Sequence, residues 1–416
     1  MRTLLHPAAL IGGLLLFSTY LRAADPPPAK GLVVHEWGVW RVHNDVELAN
    51  ADMRAIWDGL PKFVYGQVSG RNLPRHWQNL EPVDRPVLFF HTPAALALEV
   101  RIDFPSGLPA VWWPGTTEPA VRDGRIVGRQ REDAPFRHLQ WNLNVKQAPP
   151  TRRGRELVLE RIDDKHWVTT LRKVKADDVF AQVGESRFGC ERERFLYYDG
   201  LLPRGDWVTL SFDKERIRLS SKAKHPLFDV TMIDRRTTGK ARVARLAKLD
   251  AGTNEKELEF KEIDRAALAK EGPDTLLRQL EDAGLFKDEA GALVDLWRTE
   301  LFESAGLTLF YRLPQEEFER LLPLTLKPRA EKLVRVGLVV HPYCEPDLAK
   351  RVEELVKQLN DDSYEKREAA QKRLAEMGRA AYSHLVRLRK TVEEAEVRAR
   401  LDRLLATIEV EGTIKK

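Results

Sequence analysis

Between residues 96 and 104 the chain alternates: Leu96, Leu98, Val100, Ile102 and Phe104 are separated by Ala97, Glu99, Arg101 and Asp103. A period of two puts one set of side chains on each face of an extended backbone, so this stretch predicts a half-buried β-strand and excludes an amphipathic helix. Just before it, Val87-Leu88-Phe89-Phe90 runs unbroken to Thr92-Pro93, as in a strand buried on both faces, and a short turn should fold the two into a hairpin. Pro105-Ser106-Gly107 makes the next turn, and Pro109 to Trp113 reads as a third strand closed by Pro114-Gly115. The expected nucleus is an antiparallel β unit.

Strand candidates recur on both sides at the spacing of a sandwich or barrel: 31–42, 62–68, 119–127, 137–145, 156–162, 167–174, 194–198, 207–212, 216–220, 228–233, 242–249 and 257–263. Residues 50–60 have helical spacing and stop at Gly59 and Pro61. At Pro273 the period changes. Leu276, Leu277 and Leu280, then Ala290, Leu293, Val294, Trp297 and Leu301, predict helices over 274–283 and 287–302, divided at Gly284. A strand over 307–312, a helix over 315–322 and a strand over 332–341 then complete the same domain.

After Glu345 no strand candidate remains, and 347–359, 364–377, 380–390 and 393–408 read as four helices. Glu365, Arg367, Ala370 and Leu374 recur as Glu396, Arg398, Leu401 and Leu405, 31 residues on, which resembles a short HEAT-type helical repeat. The expected fold class is therefore α+β. A large antiparallel β-sandwich-like domain with a few inserted helices spans 25–345, and a small all-α HEAT-like module spans 346–416.

Arg2, an apolar core of thirteen residues from Ala8 to Tyr20, and Leu21-Arg22-Ala23-Ala24 read as a cleaved export signal over 1–24. The core is short for a bilayer span, which takes about 20 residues. The expectation is an exported protein of the periplasm, cell envelope or extracellular space, with no integral membrane span after cleavage. In an oxidising compartment the only two cysteines, Cys190 and Cys344, form a candidate disulfide. The charge of +5 arises from 68 basic and 63 acidic residues, a mixed surface that gives no case for nucleic acid.

Several segments together resemble a family of exported bacterial proteins marked by a His-Glu-Trp-Gly motif near the mature amino end. They are His35-Glu36-Trp37-Gly38, Pro86-Val87-Leu88-Phe89-Phe90, Phe104-Pro105-Ser106-Gly107-Leu108, Arg194-Phe195-Leu196-Tyr197-Tyr198-Asp199-Gly200, Leu321-Leu322-Pro323-Leu324-Thr325 and Leu333-Val334-Arg335-Val336. They span most of 33–340. The family motif continues Thr-Phe-Thr where this chain has Val39-Trp40-Arg41. The resemblance implies export and a shared β fold, and no assigned chemistry.

Site candidates follow from residue type. His35, Glu36 and His91 are the candidate catalytic residues, although His35 and Glu36, as neighbours on a strand, should point to opposite faces. His341 and Cys344 are the candidate metal ligands, with His91, His35 or Glu345 as the further ligand that zinc needs. Arg187, Arg192 and Arg194 flank Cys190 and would favour its thiolate. Trp112, Trp113, Trp37 and Trp40, with Glu99 or Asp103, form a candidate glycan platform. There is no Gly-rich phosphate loop, Gly-x-Ser-x-Gly elbow or Cys-x-x-Cys pair. Two functions follow, the first as the leading reading and the second as its alternative. One is an exported scaffold or binding protein without a cofactor, whose C-terminal helices take a protein partner. The other is a cell-envelope hydrolase, with zinc as the alternative cofactor, or a glycan-binding protein.

Overall fold

The structure, a computed structural model, describes residues 27–43, 57, 59–67, 80–122, 125–126, 135–149, 157–183, 189–214, 216–237 and 239–414. The export signal and most of the helix expected over 50–60 lie outside these residues. The described chain is α+β, built on large multi-stranded sheets with helices between and after them.

Ten strands form the principal sheet, in the order Lys261–Asp264, Lys240–Leu249, Leu227–Asp234, Leu307–Leu313, Ala330–His341, Ala29–Arg41, Leu80–His91, Leu196–Pro203, Leu108–Trp113 and Tyr65–Gly66. The first and last long strands, Ala29–Arg41 and Ala330–His341, lie side by side and parallel at its centre. The strands expected after the helices do therefore complete the same sheet. Gly337 is needed there: a Cβ on it would stand 2.7 Å from the Trp40 ring. A second sheet of five strands runs Cys190–Glu193, Val179–Gln182, His138–Val145, Leu96–Asp103 and Leu324–Lys327. One hydrophobic core takes residues from both sheets.

Leu98, Val100, Ile102 and Phe104 are buried as their alternation requires, and Val87 to Phe90 are buried without a break. The hairpin expected between them does not form. Leu80–His91 already has Ala29–Arg41 on one edge and Leu196–Pro203 on the other, so both rows of backbone groups are taken. Thr92, whose N–H donates to Asp177 at 2.7 Å, turns the chain out of the first sheet, and Leu96–Asp103 pairs in the second. Leu108–Trp113 then returns to the first sheet.

The segment expected as a strand over 167–174 is a helix, Trp167–Arg172, which buries Trp167, Val168 and Leu171 on one side behind the cap residue His166. Local β-propensity lost here to the burial of that face. No strand forms over 157–162 beyond a single bridge at Leu159. The helix expected to open at Pro273 begins earlier, as Arg265–Asp282, with Pro273 inside it. Proline removes the hydrogen bond to the carbonyl four residues back. That carbonyl, Ala269 O, instead accepts from Arg298 Nη1 at 3.3 Å.

The next helix, Lys287–Arg298, continues into a π-turn over Thr299–Glu303. It lies against the central strands, with Glu289 at one end of the contact and Trp297 at the other. Four further helices, Leu348–Gln358, Tyr364–Met377, Arg379–Thr391 and Ala395–Ile414, gather around a separate apolar core that includes Val352, Leu374, Leu385 and Leu401.

Candidate metal centre

Strand Ala29–Arg41 presents His35 and Glu36 to opposite faces of the sheet, and each meets a different set of partners. On one face His35 lies opposite Phe89 in the antiparallel register, and His91 is two residues further along the same strand. They are diagonal neighbours, with ring centroids 5.6 Å apart. Glu289, third residue of helix Lys287–Arg298, comes down between them. Its Oε2 lies 2.6 Å from His35 Nδ1 and its Oε1 lies 2.8 Å from His91 Nε2. The carboxylate also accepts the Phe286 N–H at 2.8 Å, the acidic half of a capping box, which fixes it at the start of the helix.

His35 and Glu289 are fully buried, whereas the His91 side chain is 18% exposed. Phe286 covers both imidazoles at 4.6 and 4.8 Å between ring centroids and is itself 42% exposed, so the group sits at the surface beneath one aromatic ring. Burial raises the Glu289 carboxyl, but the hydrogen bonds from His35, His91 and Phe286 outweigh it and hold the pKa below the usual range. His35 Nε2 is buried with no hydrogen-bond partner among the described residues.

Two histidines and one glutamate are the donor set of several catalytic zinc sites. Their ligand atoms here lie within 4.8 Å of one another, and no other group of three His, Cys, Asp or Glu among the described residues does so. Around a tetrahedral zinc, with bonds of about 2.0–2.2 Å, neighbouring ligand atoms stand roughly 3.3 Å apart. The 2.6 and 2.8 Å separations are instead those of a carboxylate accepting two imidazole N–H groups. A metal would replace those two protons, with the carboxylate drawn back by about half an ångström.

On the opposite face Glu36 lies beside Arg335 of the parallel neighbouring strand and bonds its guanidinium. It also accepts the Tyr198 hydroxyl at 2.5 Å. Arg335 continues to Leu322 O at 2.7 Å and Glu319 at 2.9 Å, and stacks over Phe318. The Glu36 carboxylate is thus enclosed by structural partners and fastens the first strand to the last.

The remaining candidates are scattered. His341 bonds Tyr311 at 3.0 Å, and burial depresses its pKa to about 3. Cys344 donates to Leu307 O at 3.2 Å, and Glu345 accepts the Leu307 N–H at 3.1 Å. His341 and Cys344 belong to no three-ligand group among the described residues. Cys190 and Cys344 are both free thiols, in different parts of the fold, and the expected disulfide is not formed. The thiolate expected at Cys190 is also overturned. Burial, with Glu191 beside it, pushes this thiol up to about 12, while Arg192 is drawn to Asp178 at 2.6 Å. Trp37, Trp40, Trp112 and Trp113 are all buried in the core, Glu99 pairs with Lys327 and Asp103 with Arg101, so these four rings offer no exposed face for a sugar to stack on.

Sequence reading missed Glu289. Its one signal was position: an acid at the third place of a helix, where it reaches back to the cap.

A second polar group lies at the far end of the same helix. Trp37 pairs with Val87 and Val39 with Asp84, which leaves Arg85 and Pro86 opposite Gly38 alone, and at this bulge Arg85 takes φ +54°. Asp84 lies 3.2 Å from Arg41, which reaches Glu300 on the π-turn at 2.8 Å and stacks on Trp297. Asp199 on the next strand is fully buried. Burial, then the nearby charge of Asp84, push its pKa well above the usual range.

Comparison with family models, with curated proteins and with solved structures finds no match, so the site is read from its own chemistry.

Proposed function

We propose that this chain is an exported hydrolase that holds a zinc-class divalent ion with His35, His91 and Glu289. The observation that carries the reading is the convergence of two strand histidines and one helix carboxylate, far apart in sequence, at a mouth open to solvent beside His91. An ion held by three protein ligands keeps a position for water, lowers its pKa and polarises a carbonyl or phosphoryl oxygen. The protein's part is to fix the two imidazoles on adjacent strands, to anchor Glu289 through the Phe286 N–H, and to keep one side of the centre dry under the Phe286 ring.

The test is zinc titration of the full mature chain after chelator treatment, by calorimetry and elemental analysis. One zinc per chain is expected, with proton release, lost in His91→Ala and Glu289→Gln. The zinc form should hydrolyse members of an ester and phosphoester panel that the metal-free form leaves intact. Failure of zinc to bind the unaltered protein at neutral pH overturns the reading.

A second reading concerns the C-terminal helices. Their separate core and the exposure of Tyr364 favour a HEAT-like module that takes a protein partner, attached to a sandwich-like β domain. The same proposal includes export and membership of the His-Glu-Trp-Gly family. Removing all residues after Glu345 should abolish capture of that partner while the β domain stays folded. Undiminished capture overturns this second reading.

A further inference from the structure

A cavity of about 310 Å³ opens where strand Leu196–Pro203 ends, between the 222–224 turn and helix Gln315–Leu321. That volume is in the range of small-ligand sites. Most of its charges are matched within its own walls. Glu317, almost fully buried, accepts the Trp207 indole N–H at 2.8 Å and Arg320 Nε and Nη2 at 2.9 and 2.7 Å. Arg204 lies 3.7 Å from Asp206. Lys222 and Lys224 also line the cavity, are exposed, and have no ion-pair partner among the described residues. Leu202, Pro203, Ala223 and Leu321 supply an apolar floor, and Ser106 supplies a hydroxyl at the wall.

This lining selects among ligand classes by elimination. A cation would meet two unmatched ammonium groups. A neutral apolar molecule would strip water from those lysines and return no charge. A bare inorganic anion would satisfy the lysines but leave the apolar floor wet. We infer that the cavity binds an organic anion, with its carboxylate or phosphate held by Lys222 and Lys224 and its apolar body on Leu202, Ala223 and Leu321. Glu317 acts as the brace: by fixing both Trp207 and Arg320 it keeps the wall in place and leaves the two lysines unmatched. The site shares no residue with the histidine centre, and the inference is independent of the hydrolase reading.

The test uses the full mature chain and two fluorescent probes of similar shape, anionic 1-anilinonaphthalene-8-sulfonate and neutral N-phenyl-1-naphthylamine. The anionic probe should saturate one site and bind at least tenfold more tightly than the neutral one. Its affinity should fall at least tenfold in Lys222→Ala/Lys224→Ala and stay unchanged in Lys350→Ala/Lys372→Ala, which removes two exposed lysines elsewhere. Dodecanoate and dodecyl phosphate should displace it, their ratio distinguishing a carboxylate site from a phosphate site, while inorganic phosphate should not. Equal affinity of the two probes, or equal affinity of the parent and the Lys222/Lys224 variant, overturns the inference.

Discussion

His35 and Glu36 are adjacent in the chain, both fully buried, and have opposite fates. Glu36 is closed in by Arg335 and Tyr198, and Arg335 is held in turn by Leu322, Glu319 and Phe318. Each face keeps one buried nitrogen without a partner among the described residues, His35 Nε2 and Arg335 Nη2, but around His35 one ligand-bearing residue also reaches solvent and the covering ring is partly exposed. A cluster sealed in the core holds the fold together, while one that opens at a surface leaves room for a bound group. The two faces of one strand therefore separate architecture from candidate chemistry.

The largest effect should come from the sealed face. Arg335→Ala strands the Glu36 carboxylate in the core, and urea denaturation should register a loss of about 3–5 kcal/mol, the usual consequence of leaving one buried ion unpaired. The joint change Glu36→Leu/Arg335→Met should cost much less. If the double variant is as unstable as the single one, the pair is not the fastening we describe.

On the face that opens to solvent, Glu289→Gln replaces a carboxylate accepting two imidazoles by a neutral amide. Stability should fall by about 1–3 kcal/mol, with zinc affinity reduced at least tenfold. Unchanged zinc uptake would separate Glu289 from the metal centre.

Acidity sharpens the contrast within one helix-covered face, because its two ends shift in opposite directions. Asp199 has a raised pKa, so its contribution is fully present below the ordinary carboxylate range and is lost as pH rises through its raised value. Asp199→Asn should thus gain on the parent as pH increases, by at most about 1.4 kcal/mol per pH unit. Glu289 has a lowered pKa, so its contribution is present above the ordinary range and is lost as pH falls through the lowered value. The parent's advantage over Glu289→Gln should shrink on acidification. Chemical denaturation across a pH series reads both slopes, and slopes of the same sign would refute the assignment.

The smallest effect is expected at Phe286, whose ring is partly exposed. Phe286→Ala should cost about 1 kcal/mol or less, on the scale of a surface aromatic contact. It should also quicken diethylpyrocarbonate modification of His91. An unaltered rate would mean that the ring does not shield the centre.

Much of this was readable locally. The burial of Leu98, Val100 and Ile102, the opposed faces of His35 and Glu36, and the four C-terminal helices follow from periods of two and of three to four, which depend only on backbone geometry. Strand partners were not readable in the same way. Leu80–His91 and Leu96–Asp103 look like a hairpin because they are consecutive, yet both edges of the former are occupied by strands from elsewhere in the chain.

What the letters determined, then, was most of the extended and helical segments, though not the helix Trp167–Arg172 or the start of the helix Arg265–Asp282, and which side of the periodic elements is apolar. What only tertiary structure decided was which polar side chains meet: His35 with His91 and Glu289, and Glu36 with Arg335 across 299 residues of chain. Periodicity is a property of one element, whereas a site is set by register between elements, and register is fixed by the packing of the whole sheet.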